Sequence, residues 1–191
     1  MLEFRILAER DRTNPSILSA SNPLYAESVD KYIDQLAQRG PHLNPGDNYG
    51  WFKIAKGEDS KGFPDPPYVT GEYLGTRYVL AHTTDDMGLL QHHGWSLKSA
   101  SPGRDQMGRI NIRFTLASHG RFAKLTGDNI NRPLAIFLDD EAISAANIQS
   151  AIYDSGEITG TFTQQYVQYI VNTLEAGALP ARLKEVPLQE K

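Results

Sequence analysis

RINIRFTLASHGRFAKLTGDNINRPLAIFLDD, residues Arg109–Asp140, decides how the rest of the chain is read. It opens with strict alternation. Ile110, Ile112, Phe114 and Leu116 share one face, the two-residue period of a half-buried strand over 109–117. Ser118 stands where a helix needs a cap, and a short helix carrying Phe122 and Leu125 is expected to follow. Leu134-Ala135-Ile136-Phe137-Leu138 is then a continuous apolar strand within 133–139, closed by Asp139-Asp140.

Outward from this segment the period keeps changing. Leu2, Phe4 and Ile6 alternate with Glu3, Arg5 and Leu7, which predicts a strand over 2–8. A polar stretch, 9–21, leads to Asn22-Pro23, a favourable helix entry because Asn can cap free amides and Pro loses no bond in the first turn. Tyr25, Val29, Ile33 and Leu36 follow at helical spacing until Gly40-Pro41. From 42 to 108 Gly and Pro are dense. They separate short aromatic and β-branched runs at 49–54 and 77–82 and a weaker one at 95–98, the pattern of short strands on long loops. Beyond Asp140, short strands are expected near 148–152 and 157–162, separated by the turn-forming Asp154-Ser155-Gly156. Thr163 then caps a helix whose Tyr166, Val167, Ile170, Val171 and Leu174 form one stripe. Gly177 is placed for a left-handed cap, and a last short strand follows Pro180. Helices interleaved among non-repeating short strands predict an α+β fold and not a doubly wound nucleotide fold.

Composition narrows the function. The chain has 191 residues, 40% of them apolar, enough for one domain or two small lobes with a true core. A net charge of -4 without a basic stripe argues against nucleic acid as a partner. No polybasic cluster would hold it on anionic lipid. The absence of cysteine excludes a disulfide scaffold, a thiolate metal site and a cysteine nucleophile. No apolar run reaches the ~20 residues that cross a bilayer.

Several pieces of the second half occur together in one order. They are Arg113-Phe114-Thr115-Leu116, Phe122-Ala123-Lys124-Leu125-Thr126, Asn129, Asn131 and Leu134 to Asp139. Ile143-Ser144-Ala145, Ile158 to Thr163 and Leu174-Glu175-Ala176-Gly177-Ala178-Leu179-Pro180 continue the series. On these the segment from Gly108 to Val186 resembles the periplasmic domain of the SecD/SecDF protein-export family, and Leu2-Glu3-Phe4-Arg5 looks like a strand of the same domain. The stretch from about Ile17 to Met107 carries no such likeness. Four positions depart from the family pattern: Asp140 and Ala146 stand where it has Gly and Pro, and Arg132-Pro133 where it has Gly-Lys.

The resemblance implies a ferredoxin-like base, incomplete without a missing first strand and helix, formed by residues 1–20 and 157–191. A mixed α/β head of short strands and long loops, residues 21–156, completes it, with its variable part at about 42–107. The likeness further implies an extracytoplasmic domain of a SecD-type subunit, on the periplasmic side of the cytoplasmic membrane and anchored only by flanking helices outside this sequence. Such a domain binds emerging, unfolded preprotein transiently during late export, beside a SecF-type partner and a SecY-type channel. It has no cofactor, metal or catalytic residue, and it is not an enzyme. Leu134, Asp139, Gly160, Phe162, Gly177, Leu179 and Pro180 would be its fold-specifying residues.

Read without the resemblance, other groups keep alternatives open. His82, Asp85, Asp86, His92 and His93 could serve a free-standing extracytoplasmic metal-dependent enzyme or small-ligand binder, although adjacent histidines on a strand point to opposite faces. Asp139-Asp140-Glu141 reads as a cation-binding cluster or a polar turn, and Ser118-His119 and Ser96 as a nucleophile pair or as capping and surface residues. The aromatics Tyr49, Trp51, Phe52, Phe63, Tyr68, Tyr73, Tyr78 and Trp95 either pack a small core or form a groove for unfolded polypeptide, with Trp51, Phe52, Tyr78 and Trp95 as its contacts. A structural docking module for export subunits is the remaining reading.

Overall fold

The structure, a computed structural model, describes residues 2–9, 23–44, 46–55, 63, 64, 67–159 and 162–178. It is α+β. A seven-stranded sheet is built from β1 (Leu2–Ile6), β2 (Tyr49–Ile54), β3 (Thr70–Tyr73), β4 (Thr76–His82), β5 (Gly88–Leu89), β8 (Pro133–Leu138) and β9 (Glu141–Asn147). Their spatial order is β3-β4-β2-β9-β8-β1-β5. A three-stranded sheet, β10-β7-β6, combines β6 (Ser96–Arg104), β7 (Ile110–Ala117) and β10 (Ser155–Thr159). The described helices are α1 (Pro23–Arg39), α2 (Arg121–Asp128) and α3 (Gln164–Ala178).

Alternation sets what each strand buries. Leu2, Phe4 and Ile6 of β1 and Leu134 and Ile136 of β8 face Ile112, Phe114 and Leu116 of β7 and Ile158 of β10. The main core therefore lies between the two sheets, closed by Phe122 and Leu125 of α2 and by Val167, Ile170, Val171 and Leu174 of α3. A second cluster joins Tyr32 and Leu36 of α1 to Tyr49, Trp51 and Leu80. A third lies on the opposite parity, Ile54, Val79, Ala81, Ala135 and Phe137, under Phe63 and Tyr68. The large sheet curls on itself: Leu7 bridges to Ala81, and the Ala8 N–H donates to the Leu80 carbonyl at 2.9 Å.

Most expected elements are present, and the differences have physical causes. Glu141–Asn147 is a strand, whereas 148–152 is irregular although Ile148 is buried. Glu-Ala-Ile-Ser-Ala-Ala-Asn carries little β propensity. Pairing with β8 across a bulge is what makes it a strand. The weak run at 95–98 opens a nine-residue strand that tolerates Pro102 because β6 is a sheet edge. β1, grouped in the sequence reading with the C-terminal helix, pairs over five residues with β8 and also with β5, both within 21–156. α3 runs to Ala178, so Gly177 sits inside its last turn. The polar stretch 9–21 beyond Glu9 and the strand expected after Pro180 lie outside the described residues.

Candidate functional site

Over the main core, between β10 and the segment from Ser144 to Ile152, lies an apolar pocket of about 220 Å³ beneath which Phe4, Phe114 and Phe122 are buried. Its floor is a triad of rings. Phe4 lies 4.7 Å from Phe122 and 5.5 Å from Phe114, and Phe114 lies 6.3 Å from Phe122. One lip is β10 and the other is the segment from Ser144 to Ile152. The lips are tied at one end by Ser144, whose Oγ donates to the Thr159 carbonyl at 3.0 Å. Thr126, buried in α2, accepts from the Ile152 N–H at 2.8 Å and donates to the Phe122 carbonyl at 2.7 Å, fixing the second lip to the helix. Gly156 is required by close approach: a Cβ there would stand 2.6 Å from Cζ of Phe114. Asn147, Gln149 and Ser150 rim the mouth and are exposed. The titratable group in the lining is Glu157, which accepts from Asn111 Nδ2 at 2.7 Å and Arg113 Nε at 3.2 Å. The pocket suits an apolar side chain and supplies no acid–base pair.

The four aromatics singled out from sequence separate. Trp51 and Trp95 are each only 8% exposed, with indole N–H groups donating to the carbonyls of Tyr32 (2.9 Å) and Leu90 (2.8 Å). Trp95 packs in the main core, edge-on to Phe4 at 5.9 Å. Trp51, Phe52 and Tyr78 do share a shallow depression of roughly 520 Å³, and Arg5 stacks 4.7 Å over the Phe52 ring. Phe63 and Tyr68 are core residues, and Tyr73 packs against α1 with Tyr78.

The histidines also divide. His82 is buried against Tyr49 (ring centroids 4.3 Å apart), and Arg132 Nη2 lies 3.1 Å from its Nε2. Burial first, and the Arg132 charge second, push its pKa down to about 4 against the weaker pull of Asp86. Asp85, His92 and His93 do converge, their ligand-type atoms within 4.8 Å of one another. Yet the Leu90 N–H donates to Nδ1 of His93 at 3.1 Å, which leaves the ring proton on Nε2, facing Asp85 at 3.7 Å. His92 Nε2 lies 3.0 Å from the same oxygen. The trio thus clips together the short turns Asp85–Met87 and Gln91–His93 that flank β5, with His92 hydrogen-bonded to Asp85 and His93 in electrostatic contact with the same oxygen. Burial and the neighbouring His92 hold the His93 pKa below its usual value.

Ser118 Oγ donates to Asp154 at 3.0 Å and accepts the Phe122 N–H at 3.4 Å, whereas His119 and Ser96 are exposed. Asp139 and Asp140, at φ 49° and 65°, form the β8–β9 turn, and Glu141 pairs with Lys53. Leu134 is buried and Phe162 stacks on Tyr166 at 5.8 Å. Gly160, Leu179 and Pro180 fall outside the described residues. Sequence reading missed the pocket because its walls come from segments far apart along the chain. Ser155 and Gly156, expected to form a turn after Asp154, instead begin β10, because both pair with β7, opposite Thr115 and Phe114.

Apart from Phe4, the residues that line the pocket lie between Phe114 and Thr159. Residues 83–181 match the family described as SecDF, P1 head subdomain, and the chain belongs to that family. The protein translocase subunit SecD of Koribacter versatilis is 42% identical over 93 residues, 48% of this chain and 17% of its own length. Those of Sebaldella termitidis (40% over 162 residues) and Dictyoglomus turgidum (33% over 163) align with 83% and 84% of this chain and with 39% of their own. The chain thus spans less than two-fifths of the length of these curated relatives. A solved structure described as "Structure and function of a membrane component SecDF that enhances protein export" aligns over 94% of this chain and 95% of its own, at TM-score 0.45 and 16% identity. Among the described residues no helix is long and apolar enough to cross a membrane.

Proposed function

We propose that this chain is the extracytoplasmic, polypeptide-handling head of a SecD-type subunit, acting on the periplasmic side beside a SecF-type partner and a SecY-type channel. It grips emerging preprotein reversibly and performs no covalent chemistry. The observation that carries this is the Phe4–Phe114–Phe122 pocket: apolar at its floor, polar at its rim, and large enough for one bulky side chain. An export chain passes segments of every sequence, so a useful grip recognises apolar bulk without sequence stringency.

The test is binding of a fluorescent, permanently unfolded segment carrying spaced Leu and Phe, compared with the same segment bearing Ser at those places. Burying one such side chain is worth ~1.5–3 kcal/mol, so the apolar segment should bind roughly tenfold tighter or better. Ala146→Trp, at the exposed mouth, should abolish the difference while the protein stays folded. Equal binding of both segments, or none, would sink the reading. Loss in Tyr78→Ser but not in Ala146→Trp would move the grip to the depression lined by Trp51, Phe52 and Tyr78.

A further inference from the structure

β10 is an edge strand: the smaller sheet runs β10-β7-β6, and β10 pairs with β7 alone. The register runs from Ser155 opposite Thr115 to Thr159 opposite Asn111. One step before it, the Leu116 N–H donates to the Asp154 carbonyl at 2.6 Å. Bonded and non-bonded positions alternate in an antiparallel pair. Gly156 and Ile158 therefore turn their backbone groups to β7, and Ser155, Glu157 and Thr159 turn theirs outward. The Thr159 carbonyl obeys this rule, accepting from Ser144 Oγ on the opposite lip of the pocket at 3.0 Å. The outward N–H and C=O groups of Ser155 and Glu157 have no partner among the described residues.

Proteins usually protect such an edge. The other edge of the same sheet is protected: β6 carries Lys98, Pro102 and Arg104, shifts register between Leu97 and Ser99, and has α3 packed against it. β10 is Ser-Gly-Glu-Ile-Thr, with neither Pro nor a basic residue. Its one carboxylate is drawn back to β7 by Asn111 and Arg113. The unprotected edge is also the one that borders the Phe4–Phe114–Phe122 pocket.

We infer that an exported segment binds here as an added strand, extended and antiparallel along β10, which rests on the polypeptide-grip reading of the pocket and adds the backbone to what is held. A guest residue opposite Glu157 exchanges both hydrogen bonds with it. Its two neighbours then stand opposite Gly156 and Ile158, on the face that points to the core, so their side chains drop toward the pocket. Complementarity decides the occupant. The alternating backbone dipoles of the edge are matched by any extended polypeptide, whatever its sequence, and the pocket adds a preference for apolar bulk at every second residue. Two copies joined β10 to β10 would pair only five residues each, well short of the ~1,200 Å² that a stable interface buries.

The probe is a labelled peptide of alternating Ser and Leu, read by fluorescence anisotropy with the purified chain. Methylating the Ser amides removes the N–H groups that would face β10, whereas methylating the Leu amides alters groups that face away. Serine methylation should weaken binding about tenfold or more, the loss of one to two hydrogen bonds. Leucine methylation should change it less than about threefold. Glu157→Pro removes an outward N–H and leaves the ladder to β7 intact, so it should lose binding, while Glu157→Gln should keep it. The Ser155 and Glu157 amides should exchange about tenfold more slowly with peptide at roughly ten times its Kd. Peptides that bind alike whichever amide is methylated, loss confined to methylated leucines, or unchanged exchange at Ser155 and Glu157 would each overturn strand addition. Apolar selectivity that persists in those cases leaves the pocket reading standing. Self-association of the purified chain in sedimentation that Glu157→Pro abolishes would also overturn it, by making a second copy the occupant. No preference for the alternating peptide over an all-Ser one would remove the pocket reading and strand addition together.

Discussion

Lowering the pH from 7.5 to 4 should weaken this fold through His82 before the carboxylates contribute. The side chain is 3% exposed, packed on Tyr49 and facing the Arg132 guanidinium, so the native site holds the neutral ring. Its pKa falls from 6.5 to about 4. Above pH 6.5 both folded and unfolded chains carry neutral His82, and the group leaves stability unchanged with pH. Between 6.5 and about 4 the unfolded chain binds the proton and the native chain does not, so stability falls as pH falls. Below about 4 both are protonated and the loss levels off. At ~1.36 kcal/mol per pH unit across that window, the total is about 3 kcal/mol, a large share of the roughly 5–15 kcal/mol typical of a domain. Urea unfolding at half-unit intervals, on wild type and on His82→Gln, isolates this contribution, because lowered carboxylates such as Asp47 and Asp105 act in both proteins. The variant is expected to be less stable at pH 7.5 and flatter from 6.5 to 4. Parallel curves for the two proteins over that window would refute the reasoning.

Two further outcomes test the packing. Trp51→Ala and Trp95→Ala should each cost about 3–5 kcal/mol in chemical denaturation, since both rings are buried and both indole N–H groups have carbonyl partners. A cost below about 1 kcal/mol at either would mean that the ring is a surface residue. Gly156→Val should lose about 1–3 kcal/mol by forcing Phe114 from its place, and should also weaken capture of the apolar segment. Full stability in that variant would show that the floor of the pocket can shift freely.

Much of this molecule is written in local sequence. The alternation of 110–117, the apolar run of 134–138, the helical stripe ending at Leu174 and the Gly40 stop each specify an element, because strand and helix periods are properties of neighbouring residues. The family likeness was legible for the same reason. Three things were not. β9 exists because β8 is beside it, and Ala-rich sequence gives no warning of that. The histidines 82, 92 and 93 look alike in sequence, yet one is a buried neutral partner of an arginine and two share a carboxylate. Burial and the Leu90 amide make that distinction. The pocket is assembled by Phe4, Phe114 and Phe122, and only the stacking of two sheets and a helix brings those rings together. Sequence by itself determined most of the elements, their faces and the family. The tertiary structure decided which faces meet, because contacts between distant segments depend on strand order and layer packing that no local period encodes.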